Sequence, residues 1–225
     1  MKKTIFTLDV DNYAPEIIKI TRPYLEKYAE KIGADLYVIN ERKFPDMPAV
    51  YEKLQIYELG KEMKNDWNIF FDADALIHPE TIDFTALLSK DTVACNRIDM
   101  ALVRWKPDKY FLRDGRNIGW GNWNAFASDQ CLDLWKPLDD LTLEEAVKNI
   151  YPTNAEKLSG IVPSHLIDDY TLSRNVARFG LKHKTLKDIL KEQGLEDAEF
   201  FWHEYTINKE VKIAMLQEVI KRWKV

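Results

Sequence analysis

Trp67-Asn68-Ile69-Phe70-Phe71-Asp72-Ala73-Asp74-Ala75-Leu76 is an apolar run that stops abruptly in two carboxylates one residue apart. Ile69, Phe70 and Phe71 leave no alternate position polar, which is the pattern of a strand covered on both faces. Asp72 and Asp74 share parity, so on an extended backbone both side chains project to the same side. In an open α/β sheet the carboxyl ends of buried parallel strands border the ligand crevice. Two hard oxygen ligands placed there suit Mg²⁺ or Mn²⁺ bridging a diphosphate. A bare Asp-x-Asp is common in polar loops; its place after this strand is what makes it informative.

Upstream, residues 4–8 read as a strand, closed by Asp9-Val10-Asp11-Asn12-Tyr13. Pro15 then suits a first helical turn, and Ile17, Ile18, Leu25, Tyr28 and Ile32 form an apolar face that Gly33 ends. Pro23 is expected to kink or divide that helix. Residues 34–39 are a second strand, and a helix with Val50, Leu54 and Tyr57 on one face follows Pro45 and Pro48. Strand–helix–strand–helix–strand predicts an α/β fold with a mixed, mainly parallel sheet, right-handed crossovers and flanking helices.

Downstream the pattern loosens. Short strands are expected at 92–96, 101–105 and 123–128, with a loop rich in Gly, Asn and Trp at 115–122. Helices are expected at 129–135, at 141–150 (opened by Asp140 or Thr142) and at 186–192. Residues 151–163, with Pro152, Gly160 and Pro163, read as an ordered loop. Ser164 is the expected cap of a helix carrying Leu172, Val176 and Phe179 and stopped by Gly180. Residues 200–203 end another apolar stretch. Ile213, Leu216, Ile220 and Trp223 give the closing helix a docking face.

The totals narrow the class. At 225 residues the chain suits one domain with a real core. A net charge of −5 argues against a nucleic-acid or anionic-membrane partner. No apolar run reaches the length of a membrane span, and Asp9 arrives too early for a signal peptide. Cys95 and Cys131 form no Cys-x-x-Cys and read as reduced core thiols, which points to a cytoplasmic setting. No P-loop, Rossmann glycine fingerprint, zinc-protease helix or serine elbow is present.

The order of parts resembles a GT-A-type glycosyltransferase of the galactosyltransferase and glycogenin-like kind, with its Rossmann-type fold. Asp11-Asn12-Tyr13-Ala14 looks like that family's nucleotide-base segment, in which an aromatic ring stacks on uracil. Lys53 stands where such enzymes place a basic donor contact, and Phe70-Phe71-Asp72-Ala73-Asp74 matches the signature metal motif. Residues 122–128 fall at the strand lining the acceptor side. Ile167-Asp168-Asp169-Tyr170 falls at the acidic helix start, and Trp202-His203 at the late histidine that completes the metal site. The text after it, Glu204-Tyr205-Thr206, departs from the family's Gly and Lys-Pro-Trp run at the phosphate-binding lysine. As a compact domain without a membrane anchor, the chain also resembles viral or bacterial surface-glycan transferases.

The resemblance implies one domain over 1–225, with a nucleotide-binding half at 1–76 and an acceptor-side half at 77–225. It implies hexosyl transfer, with retention, from a UDP-sugar to a hydroxyl of a carbohydrate acceptor, using Mn²⁺ or Mg²⁺. The metal set is Asp72, Asp74 and His203. The donor set is Thr7, Asp9, Tyr13, Lys53, Asp72 and Ala73, and the catalytic carboxylates are Asp168 and Asp169. His78 competes with His203 as ligand; His165 and His183 are weaker candidates. Asp168 and Asp169 also suit the helix dipole alone, and Tyr13 also suits a hydrophobic staple. Trp120 and Trp123 are candidates for stacking on an acceptor sugar or for the core. Two rival readings are a haloacid-dehalogenase-type phosphatase with Asp9 as nucleophile, and a binding module that kept the fold without turnover. The phosphatase reading leaves Asp72 and Asp74 unexplained.

Overall fold

Residues 67–71 alternate between two apolar environments, and that alternation places the sheet. The computed structural model describes residues 1–98, 105–112, 120–158, 160–204 and 208–224, with the side chains of 97, 98, 120–122 and 155 outside that description. In it Phe70 faces one buried cluster, while Trp67, Ile69 and Phe71 face another.

The elements run β1 (Lys3–Leu8), α1 (Pro15–Ile32), β2 (Asp35–Ile39), α2 (Ile56–Met63), β3 (Trp67–Phe71) and β4 (Leu76–Ile77). They continue β5 (Thr92–Ile98), α3 (Lys109–Leu112), β6 (Trp120–Ser128), α4 (Leu143–Val147), α5 (Asn154–Leu158) and α6 (Ile167–Phe179). The chain closes with β7 (Lys182–Thr185), α7 (Leu186–Glu192), β8 (Phe201–Trp202) and α8 (Lys209–Trp223). The main sheet has the order β2-β1-β3-β6-β5-β7, and β6 alone runs against the rest. A separate two-stranded ladder joins β4 to β8.

α1 and α7 cover one face of the sheet, with Leu25, Tyr28, Ile32, Ile189 and Leu190 in its cluster. α2 and α6 cover the other, where Tyr170, Leu172 and Val176 pack with Phe6 and Phe70. A third cluster sets Leu216 and Val219 of α8 against Ala14, Ile17 and Leu76. No helix among the described residues is long and apolar enough to cross a membrane. Cys95 and Cys131 are buried and are not joined in a disulfide.

Several local expectations are corrected. Pro23 does not divide the first helix, since α1 runs unbroken from Pro15 to Ile32 with Pro23 inside it. An interior proline costs about 3 kcal/mol, and each buried apolar side chain along α1 returns about 1.5–3 kcal/mol. Ser164 does not cap α6: a 3₁₀ turn over Pro163–Leu166 leads straight into Ile167, with no side-chain cap. Residues 129–135 form a 3₁₀ segment capped by Ser128 rather than an α-helix. The helix expected over 141–150 shortens to α4, opened by a capping box between Thr142 and Glu145. Within 151–163, expected as loop, α5 is helical. β7 is a strand that the sequence pattern does not predict, because its Lys-His-Lys-Thr text has no apolar position to announce one. Of the strand expected at 101–105, all but Trp105 lies outside the described residues, as does most of the loop expected at 115–122.

Phe71 is the most connected ring of β3, meeting Tyr28 and Phe126 edge-on at 5.9 and 5.7 Å and Phe201 at 5.7 Å. Phe71→Ala is expected to lose about 3–5 kcal/mol of stability, read by urea unfolding. A loss below 1 kcal/mol would show that the cluster closes around the gap.

Candidate metal centre

After Phe71 the chain does not stay extended. The Ala75 N–H donates to the Asp72 carbonyl at 3.0 Å, closing a turn over 72–75, and the Asp72 N–H donates to the Trp123 carbonyl at 2.8 Å. Thr21 Oγ1 donates to the Ala73 carbonyl at 2.5 Å and pins the turn to α1. The backbone expected to be extended at the two aspartates is therefore a turn, and both carboxylates still line one cleft.

β4 begins two residues past Asp74 and pairs with β8, Leu76 opposite Trp202 and Ile77 opposite Phe201. That register carries His203, next after Trp202, to the acid pair. Its Nε2 lies 3.3 Å from Asp74 Oδ1 and 3.9 Å from Asp72 Oδ2. One ligand atom from each of Asp72, Asp74 and His203 lies within 4.8 Å of the others, a spacing that could hold a metal ion. Carboxylate oxygens with one imidazole suit Mn²⁺ or Mg²⁺, with open positions left for a ligand. Trp123 stacks on the His203 ring at 5.1 Å and 13° and also meets Phe201 edge-on. Here Trp123 orients the histidine. His78 is turned elsewhere, accepting from the Glu80 N–H at Nδ1 and packing on Trp223.

Two buried lysines bracket the acids. Lys53 Nζ lies 2.8 Å from Asp168 Oδ2 and 3.3 Å from Asp72 Oδ1. Burial disfavours its charge, but Asp168 and Asp72 outweigh that and hold the ammonium well above its ordinary pKa. Lys212 of α8 bonds Asp74 Oδ2. Withdrawal from water lifts the Asp72 carboxyl above its ordinary value; Lys53 opposes this, while Asp74 adds to it. Burial presses on Asp74 as well, but His203 and Lys212 overcome it and hold Asp74 well below the carboxylate range. The pair is split, one carboxyl raised and one lowered.

Asp168 is only 4% exposed, so it serves Lys53 from behind and does not reach the cavity wall. Asp169, half-buried beside it in the first turn of α6, adds to the field on Lys53. Over the trio opens a cavity of about 460 Å³, walled by Val10, Tyr13, Ala49, Ile161 and Val162 and floored by Asp72, Ala73 and Asp74. His165, Lys209 and Lys212 also line it. Tyr13 is 60% exposed there, which does not suit a staple, and Lys209 Nζ lies 5.8 Å from its ring centre.

The turn before Tyr13 uses positive φ at Asp11 (58°) and Asn12 (51°), a conformation that Asp and Asn tolerate. Arg42 holds it, reaching Asp11 at 2.7 Å and the fully buried Glu52 at 3.0 Å. Asp9 and Thr7 stand apart from the cavity wall. Asp9 lies 3.8 Å from Arg22, and Thr7 is fully buried, its Oγ1 without a hydrogen-bond partner among the described residues. Lys212, Lys209 and Arg42 escaped the sequence reading. Lys212 had a legible signal, since it sits four residues before the core residue Leu216, on the apolar side of α8.

Trp123→Leu is expected to weaken Mn²⁺ binding roughly tenfold by freeing the imidazole, measured by calorimetry. Unchanged affinity would confine Trp123 to the core. Because the folded Asp72 carboxyl is raised, its ionisation opposes folding: its contribution is favourable at low pH and lost as pH rises through the folded value. Asp72→Asn is therefore expected to melt higher than wild type at pH 7 without metal, the gap closing as pH falls. A lower melting point at pH 7 would overturn that balance.

As a sequence, the chain matches no family model and no curated protein. As a structure, it is similar to a glycosyltransferase involved in the glycosylation of the major capsid of PBCV-1, at a TM-score of 0.52 and 11% identity. The likeness covers 97% of this chain and 100% of that one. With its sheet of one antiparallel and five co-directed strands flanked by helices, this chain has a GT-A-like α/β fold.

Proposed function

We propose that this protein is a metal-dependent glycosyltransferase that moves a hexosyl unit from a UDP-sugar to a hydroxyl of a carbohydrate acceptor. The observation that carries the reading is the Asp72–Asp74–His203 trio at the floor of a cavity at the carboxyl edge of β3. Cleavage of the anomeric carbon–oxygen bond builds negative charge on the departing diphosphate and positive character on the sugar. A Mn²⁺ or Mg²⁺ ion held by the trio would supply Lewis-acid stabilisation of that leaving group.

The chain's own residues supply the rest. Tyr13 offers an exposed face on which the base stacks, and Lys209 adds positive charge beside it. Thr7 and Asp9, which stand off the cavity wall, are proposed to support the donor site indirectly through their neighbours Leu8 and Val10, which line it, and Ala73 is proposed as a close backbone contact at the turn. Lys53, clamped between Asp168 and Asp72, keeps the Asp72 carboxylate oriented toward the cleft. Asp168 is thereby a positioning residue, and Asp169 completes the acidic start of α6. Retention of anomeric configuration, implied by the family resemblance, is checked by NMR of the first-formed product.

The decisive experiment titrates UDP and UDP-sugars into the protein with Mn²⁺ and then with chelator. Metal-dependent UDP binding, abolished by Asp74→Ala, is expected. Asp168→Ala and Asp169→Ala are expected to lose turnover, and normal turnover in both would remove α6 from the mechanism. No UDP binding, with hydrolysis of a simple phosphomonoester, would move the active site to Asp9.

A further inference from the structure

Lys212 is a buried lysine with no part in holding a metal. Its backbone N–H closes the first turn of α8 on the Asn208 carbonyl at 3.0 Å. A cation at that place is disfavoured twice, by its removal from water (3% exposed) and by the positive end of the helix dipole. Its ammonium is bonded to Asp74 Oδ2, the same carboxylate that His203 approaches from the other oxygen. Lys53 differs: it is shared between Asp168 and Asp72 and stands off the cavity wall, whereas Lys212 lines the cavity. α8 itself is locked, because Leu216 and Val219 pack on Ala14, Ile17 and Leu76. The flexible stem of Lys212 can nevertheless carry the charge from Asp74 into the cavity while the helix stays in place.

We propose that Lys212 is a tethered counter-ion of the acid pair, holding Asp74 until an anionic diphosphate in the cavity takes its charge and a divalent cation replaces it. This deepens the reading of the trio as a metal site and rests on it. A divalent ion arriving alone meets an ammonium on one of its own ligands, and the two like charges repel at short range. A diphosphate arriving with it accepts both charges. Cation and nucleotide therefore strengthen each other, and the coupling is reciprocal.

The test titrates Mn²⁺ calorimetrically into the full chain, alone and then with saturating UDP, for wild type, Lys212→Met and Lys212→Arg. Lys212→Met, neutral and of similar length, is expected to bind Mn²⁺ alone about tenfold more tightly than wild type, and the gain brought by UDP to shrink by a similar factor. Lys212→Arg is expected to behave as wild type. Equal Mn²⁺ affinity in wild type and Lys212→Met, or binding by neither, overturns the proposal. Should Lys212→Met lose its folded circular dichroism, Lys212→Gln makes the same comparison. In wild type alone, Mn²⁺ affinity that is the same with and without UDP also overturns it. Coupled Mn²⁺ and UDP binding without sugar transfer would defeat the transferase reading and leave this one standing. Coupling that persists in Lys212→Met would do the reverse.

Discussion

Leu76 and Ile77 pair with Trp202 and Phe201, and this two-residue ladder delivers His203 to aspartates more than a hundred residues earlier in the chain. So short a ladder has little stability of its own. It is held because both of its ends are built into apolar clusters. Ile77 and Phe201 join the ring cluster around Phe71, while Leu76 and Trp202 join the seam where α8 docks on α1. The Asp72–Asp74–His203 trio thus depends on packing on both sides of a strand pair that contributes few hydrogen bonds.

The electrostatics of the site work against the fold around it. Three carboxylates and two ammonium groups stand within a few residues' reach, and the lysines are among the most deeply buried in the protein. Replacing such groups by apolar ones often leaves a protein as stable or more so. Their presence here accords with the charged ligand proposed for the cavity. The two aspartates are split, one raised by burial and one lowered by His203 and Lys212, and perturbed carboxyls of this kind cluster at functional sites and in buried ion-pair networks alike.

Much of this was legible along the chain. β1, β2 and β3 follow from short, mostly apolar runs, and their alternation with helices specifies a parallel sheet through the handedness of crossovers. The acid pair announces itself because it terminates the most buried strand. α8 was readable from the periodicity of Ile213, Leu216, Ile220 and Trp223. Other features had weak local signals. β7 has polar text and becomes a strand because the edge of β5 offers it a ladder. Asp168 looked like a residue facing substrate; Lys53, from a distant segment, turns it into a buried ionic partner.

The sequence by itself determined the class of fold, the strand whose end carries the acid pair, and the identity of those acids, because hydrophobic periodicity and charge are local properties of the chain. Only the tertiary structure decided which histidine joins the acids, which lysine neutralises each of them and which ring steadies the imidazole. Those choices depend on the register of β4 against β8 and on the docking of α8, and register and docking are set by packing between segments far apart in sequence.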